Sequence, residues 1–120
     1  MELFKVTLPK NCHVLLLEDS EMRIAWFKKK INTLKVVTSV DQFKAYFETH
    51  PMVDFVFYDH DLGEGNGTGL EAAQFMKEKF GGTSRWALIH SWNTVAARRM
   101  MEYLPNTPHI PFGEFDIEEK

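Results

Sequence analysis

Cysteine is all but missing from this chain: Cys12 stands alone among 120 residues, so no disulfide can close within it. No apolar run approaches the roughly 18 residues that a membrane-spanning helix needs, and no signal-peptide core opens the sequence. These absences predict a soluble, cytoplasmic protein with no membrane partner. Positive charge is not in excess either. Lys and Arg number 14 against 17 Asp and Glu, a net charge of −3, which leaves no dense cationic face to displace the counterions of duplex DNA. Pro and Gly are sparse, and no linker, repeat or low-complexity tract divides the chain. One domain over residues 1–120 is therefore expected, a length at which single cores typically form. Apolar side chains are abundant: 44% of residues are hydrophobic and 13% aromatic, enough to offset the ordering entropy that keeps polar chains disordered.

Short apolar runs alternate with helical patterns. His13-Val14-Leu15-Leu16-Leu17 is continuous, too short for a helix buried on all sides, and stops at Glu18-Asp19; it reads as a central parallel strand. Ile24, Phe27 and Ile31 then recur at helical spacing while Lys28, Lys29 and Lys30 face solvent, with Asp19 or Ser20 placed to cap the helix. Residues 34–37 form a second strand. Ser39-Val40-Asp41-Gln42 is a capping box opening a helix through Phe43 and Phe47, which His50-Pro51 ends. Residues 53–58 are a third strand, β-branched and aromatic, closing on Asp59-His60-Asp61. A loop with Gly63, Gly65 and Gly67 leads to a second capping box, Thr68-Gly69-Leu70-Glu71, and a helix that Gly81-Gly82 terminates. Residues 86–89 are a fourth strand, closing on His90-Ser91-Trp92-Asn93, and a helix from about residue 94 to 104 is stopped by Pro105. A short fifth strand is expected around Ile110, and residues 3–8 are expected to add an edge strand.

Five strands alternating with four helices predict a doubly wound α/β sandwich, because parallel strands need right-handed crossovers that place helices on both faces. Ligands in such sheets bind beyond the carboxyl ends of the strands. The groups there are Glu18 and Asp19, then Asp59, His60 and Asp61, then His90, Ser91 and Asn93, and they are expected to share one crevice.

From about residue 13 to 112 the sequence resembles a response-regulator receiver domain. The carriers are the acidic pair Glu18-Asp19 after the first strand, and Asp59-His60-Asp61-Leu62 followed by a Gly-rich turn and Gly69-Leu70-Glu71. The resemblance implies a flavodoxin-like sheet of five parallel strands in the order 2-1-3-4-5. It also implies that Glu18, Asp19 and Asp59 hold Mg²⁺ or Mn²⁺. Three departures argue against phosphorelay signalling. Ile110 stands where receivers carry the Lys that contacts the phosphoryl group; His90-Ser91-Trp92-Asn93 replaces the usual Thr/Ser ending; and an acidic tail, residues 113–120, replaces the full final helix. Asp-His-Asp-Leu with His-Ser-x-Asn and no Lys resembles a divergent group, the cyclic-phosphate-processing receiver-like domains. That implies action on a cyclic nucleotide or an RNA 2′,3′-cyclic phosphate.

Opening a cyclic phosphodiester requires activated water, a proton for the leaving alkoxide and stabilised charge on the non-bridging oxygens. Two imidazoles can divide the proton transfers near neutral pH, which assigns them to His60 and His90 beside Asp59. The bland alternative has one histidine merely bonded to a carboxylate, Asp19 as a cap and Glu18 as a solvated charge. Three acids at adjacent strand ends repel one another unless a cation, Arg or protonated His compensates. Asp61, Ser91, Trp92 and Asn93 are candidate ligand contacts, Trp92 by stacking on a base, though Asp and Asn also serve turns and Trp packs. His13 and His50 read as structural, at the far end of the sheet, and His109 has no assigned role. Three functions follow: a possible cyclic phosphodiesterase, a non-catalytic sensor or sponge for a cyclic nucleotide, and a degenerate receiver acting by protein contacts.

Overall fold

The computed structural model describes residues 3–82 and 86–120. Its centre is β2 (Val14–Leu17), buried along its whole length because it has a neighbour on each edge and a packed layer on each face. β3 (Leu34–Val37) pairs with one edge, β4 (Phe55–Tyr58) with the other, and β5 (Trp86–Ile89) lies beyond β4. All pairings are parallel, in the order β3-β2-β4-β5. Alternating side chains feed two cores. Leu15, Leu17, Val56, Tyr58 and Ile89 meet α2 (Val40–Thr49), α3 (Gly69–Phe80) and α4 (Thr94–Tyr103). Val14, Leu16, Phe57 and Leu88 turn to the other face, against Phe27 and Ile31 of the α1 segment (Glu21–Lys30 and its C-cap).

Helix starts follow their caps. Ser20, not Asp19, caps α1, its Oγ accepting from Arg23 N; Ser39, Thr68 and Asn93 do the same for Gln42 N, Glu71 N and Ala96 N. The Gln42 side chain reaches back to Thr38 N at 2.9 Å rather than to the cap residue itself.

Two expectations need correction. The main sheet has four strands, not five: around Ile110 there is a single parallel bridge, Ile89 to His109. Ile89 N donates to Pro108 O and Ile110 N to Ile89 O, but the ladder cannot extend. Pro108 has no N–H to donate further back, and forward Phe112 N donates to His90 O at 2.8 Å, out of the ladder's alternation, while Ser91 O accepts from His109 Nε2 at 2.7 Å. Second, the leading strand is no edge of that sheet. β1 (Phe4–Leu8) pairs in parallel with β6 (Phe115–Glu119), formed by the acidic tail, as a separate two-stranded ribbon. Phe115 and Ile117 point inward with Val6 and Leu8, while Lys5–Glu118 and Lys30–Asp116 ion pairs lie outside. The ribbon shares a core with α1. No helix among the described residues is long and apolar enough to cross a membrane.

Candidate functional site

The carboxyl ends of β2, β4 and β5 stay in register past the strands themselves. Glu18 N donates to Val37 O, Asp59 N to Leu17 O and His90 N to Tyr58 O, so these three residues arrive at one level. A cavity of about 330 Å³ opens above them. Glu18 and Asp59 form its floor, only 1% and 4% exposed, and Asp19 and Asp61 add two acids to its wall. Ser20, Met22, Arg23, Ser91 and Trp92 complete its lining. A larger cavity, about 570 Å³, lies at the opposite ends of β4 and β5; Lys5 is the one ionisable side chain among its described lining residues, so it lacks the groups for acid–base chemistry.

Glu18 is held from several sides. Its Oε2 accepts from Asp19 N at 3.1 Å and Ser20 N at 3.2 Å, and its Oε1 accepts from His90 Nε2 at 2.9 Å. Arg23 Nη1 stands 3.6 Å from Glu18 Oε1 and 3.9 Å from Asp59 Oδ1. Burial alone would push the Glu18 carboxyl up, but the hydrogen bond from His90, the Ser20 N–H and the bond with Asp59 hold it below its ordinary value. Asp59 goes the other way. Burial first, then the neighbouring Glu18 charge, push it up to about 8, against the weaker pull of the His60 N–H and Arg23.

His90 is fully buried and held below its ordinary pKa by burial, in spite of Glu18. The geometry agrees: its Nδ1 has no partner among the described residues, so a second proton there would be a buried donor with nothing to bond. The resting floor therefore holds neutral His90 donating to ionised Glu18, with Asp59 protonated and Arg23 as the nearby cation.

Neither imidazole of the expected pair lines the cavity. His90 lies beneath Glu18, outside the cavity wall, and His60 is outside it as well. His60 Nδ1 accepts from Leu70 N at 3.3 Å in the first turn of α3, and its Nε2 lies 4.0 Å from Asp61 Oδ1. Asn93 is the α4 cap, its backbone N–H donates to Ser91 Oγ, and it does not line the cavity. Trp92 does line it, 65% exposed, its Nε1 donating to Phe112 O at 2.8 Å. His109 is spent on the Ser91 carbonyl, and His13 bonds Tyr46 Oη and stacks edge-on against His50 at the other end of the sheet.

Two residues were missed in the sequence. Arg23 supplies the compensating cation; its signal was a basic residue in the first turn of a helix, where the helix dipole disfavours one unless acids stand close. Gly69 is required by contact: a Cβ there would fall 1.9 Å from Asp59 O, while Gly69 N donates to His60 O. Only glycine lets α3 press against the backbone that carries Asp59. Gly63 is similarly placed, at a φ of +82° with Asp19 Oδ2 only 3.0 Å from where a Cβ would lie.

For a divalent cation, Glu18, Asp59 and His90 each offer a ligand atom within 4.8 Å of the others. Asp19, the third ligand expected from the sequence, lines the same cavity but lies outside that cluster. Two carboxylate oxygens beside open space suit a hard cation that keeps part of its water shell, and the Arg23 guanidinium marks where positive charge is needed.

A search of the curated proteins found no match. Among solved structures, the yeast Spc42 trimeric coiled coil (amino acids 181–211) fused to another structure is similar over 88% of this chain and 67% of that one, with a TM-score of 0.70 and 14% identity. At that identity the likeness is one of fold. The family comparison reaches further, matching residues 13–106, which include both acidic strand ends and the His90 segment, to the cyclic-phosphate processing receiver domain. With most of its length so matched, the chain belongs to the family of cyclic-phosphate processing receiver domains.

Proposed function

We propose that this chain takes a cyclic phosphodiester, a cyclic nucleotide or an RNA 2′,3′-cyclic end, into the 330 Å³ cavity and hydrolyses it. The observation that carries the reading is the buried Glu18–Asp59 pair, with one guanidinium beside it, at the floor of a cavity walled by a serine and an exposed indole. The family's name supports the substrate class. Glu18 and Asp59, with Asp19 at the wall, would hold Mg²⁺ or Mn²⁺, which when bound neutralises phosphate oxygens. Ser91 and Trp92 contact the ligand, Trp92 offering an aromatic surface to a base. His60, whose Nε2 lies toward Asp61, is the proton carrier; His90 acts through Glu18 by fixing its carboxylate and is a positioning residue. Water adds to phosphorus as the ring P–O bond breaks, one proton leaving the water and one reaching the departing alkoxide.

A second reading is favoured by one specific observation: neither imidazole lines the cavity. The same site would then bind the cyclic phosphate without turning it over, as a sensor or sponge. Incubation with a panel of cyclic nucleotides and 2′,3′-cyclic-phosphate RNA, followed by mass analysis, separates them. A linear phosphomonoester product supports hydrolysis, bound but intact ligand supports the sensor, and neither binding nor product overturns both.

A further inference from the structure

Arg23 carries five N–H donors, its side chain is only 14% exposed, and it makes no side-chain hydrogen bond among the described residues. Its approaches to Glu18 and Asp59, 3.6 and 3.9 Å, are ion-pair distances, longer than the roughly 2.7–2.9 Å of a charge-assisted hydrogen bond. The guanidinium is instead held by its face, 4.3 Å from the Trp92 ring centroid and 5.0 Å from that of Phe112, and those two residues are joined by the Trp92 Nε1 bond to Phe112 O. Stacking uses the face of a guanidinium and leaves its edge donors available, the arrangement that suits a planar fork to phosphate. Among the described residues lining the cavity, Arg23 is the one cation.

The position at which a receiver carries its phosphate-contacting Lys holds Ile110, so any charge that reads the anion must come from elsewhere. We infer that Arg23 is this chain's phosphate-reading residue: stacked on Trp92 and Phe112, it pairs loosely with Glu18 and Asp59 when the cavity is free of ligand and turns its donors to the non-bridging oxygens of a bound phosphate. Trp92 then has two functions, platform for the guanidinium and reporter of its movement. The inference rests on the cyclic-phosphate reading of the cavity and deepens it, since it names the group that recognises the anion.

The test uses the full chain with Mg²⁺ and inorganic phosphate as probe, followed by calorimetry and by tryptophan emission, with a Trp92→Phe variant isolating the Trp92 signal from Trp26 and Trp86. In wild type, phosphate is expected to change Trp92 emission. Arg23→Met is expected to lose about tenfold to a hundredfold in phosphate affinity. Its Trp92 response should vanish, while Mg²⁺ alone binds at least as tightly because a competing cation has gone. Arg23→Lys keeps the charge without the fork and should recover only part of the loss. Arg23→Met binding phosphate like wild type, losing Mg²⁺ together with phosphate, or a wild type without phosphate affinity at millimolar concentration would each overturn the inference. Arg23-dependent phosphate binding in a protein that ignores every cyclic phosphate would retire the proposed function and leave this inference standing.

Discussion

Replacing Asp59 by Asn is expected to stabilise the protein at alkaline pH, because the folded state has to hold that carboxyl in a place hostile to its charge. Burial and the adjacent Glu18 push Asp59 from 3.8 up to about 8. Across that window the folded chain keeps a proton that the unfolded chain has lost, so stability falls as pH rises, by at most about 1.36 kcal/mol per pH unit. His90 opposes this only at lower pH. Held below 6.5 in the fold, it favours the unfolded chain once that chain binds its proton, so its contribution is lost as pH falls below about 6.5. Glu18, lowered from 4.5, matters only in more acid solution still. Above neutrality Asp59 is therefore the member of the floor that titrates. Between about pH 7 and pH 9 its ionisation should remove between about 1 and 2 kcal/mol, close to a tenfold change in the folding equilibrium. Asn keeps the shape and can donate to Glu18 as the protonated acid does, but cannot ionise. The assay is urea unfolding of wild type and Asp59→Asn at several pH values, with a chelator to strip divalent cations. The wild-type curve should fall away from the variant's over this range. Parallel profiles for the two proteins, or a gap that closes as pH rises, would refute the account of the floor.

The other predictions follow from the same geometry. Mg²⁺ should raise the melting temperature more at about pH 9 than at pH 6, since a cation must displace the Asp59 proton; an equal rise at both would mean that Asp59 is not a ligand. His90→Ala should cost about 2–3 kcal/mol in denaturant unfolding by removing a buried donor from Glu18, and His90→Gln should recover part of it. Gly69→Ala should destabilise by about 1–3 kcal/mol and weaken ligand binding together, because the added methyl drives into Asp59 O. Phe115→Ala should cost about 3–5 kcal/mol if the ribbon is part of the core; a near-neutral result would make β6 a loosely attached tail.

The central sheet was legible because Val14–Leu17 and Phe55–Tyr58 are apolar without interruption, and each ends abruptly in acids. That same abruptness located the floor, since a parallel strand's carboxyl end is where charge can emerge. What failed was local. Ile110 reads as strand by its own propensity, but Pro108 removes the donor that a ladder needs and Phe112 N turns to His90 O, leaving Ser91 O to His109. By composition residues 113–120 resemble a charged tail, yet Phe115, Asp116 and Ile117 alternate in-out-in, the period of a strand with one buried face. The contacts between Glu18 and His90, and between Arg23 and the carboxylates, join residues on different elements. Neither contact has a spacing rule to announce it.

The β1–β6 ribbon ties Phe4 to Phe115 and Leu8 to Glu119, so the two most distant described strands are hydrogen-bonded neighbours. Closing so long a loop is entropically expensive and slow, which makes the ribbon a late event in folding. A chain emerging from the ribosome can build the β3-β2-β4-β5 sheet early, yet the face carrying Phe57 and Leu88 stays open until the last strand has been made. During that interval β1 is an edge without a partner, exposed to any other extended segment, including β6 of a second copy. Domain exchange through this strand is the characteristic error that such a topology invites, and the Lys5–Glu118 pair across the ribbon forms equally well with β6 of a second copy.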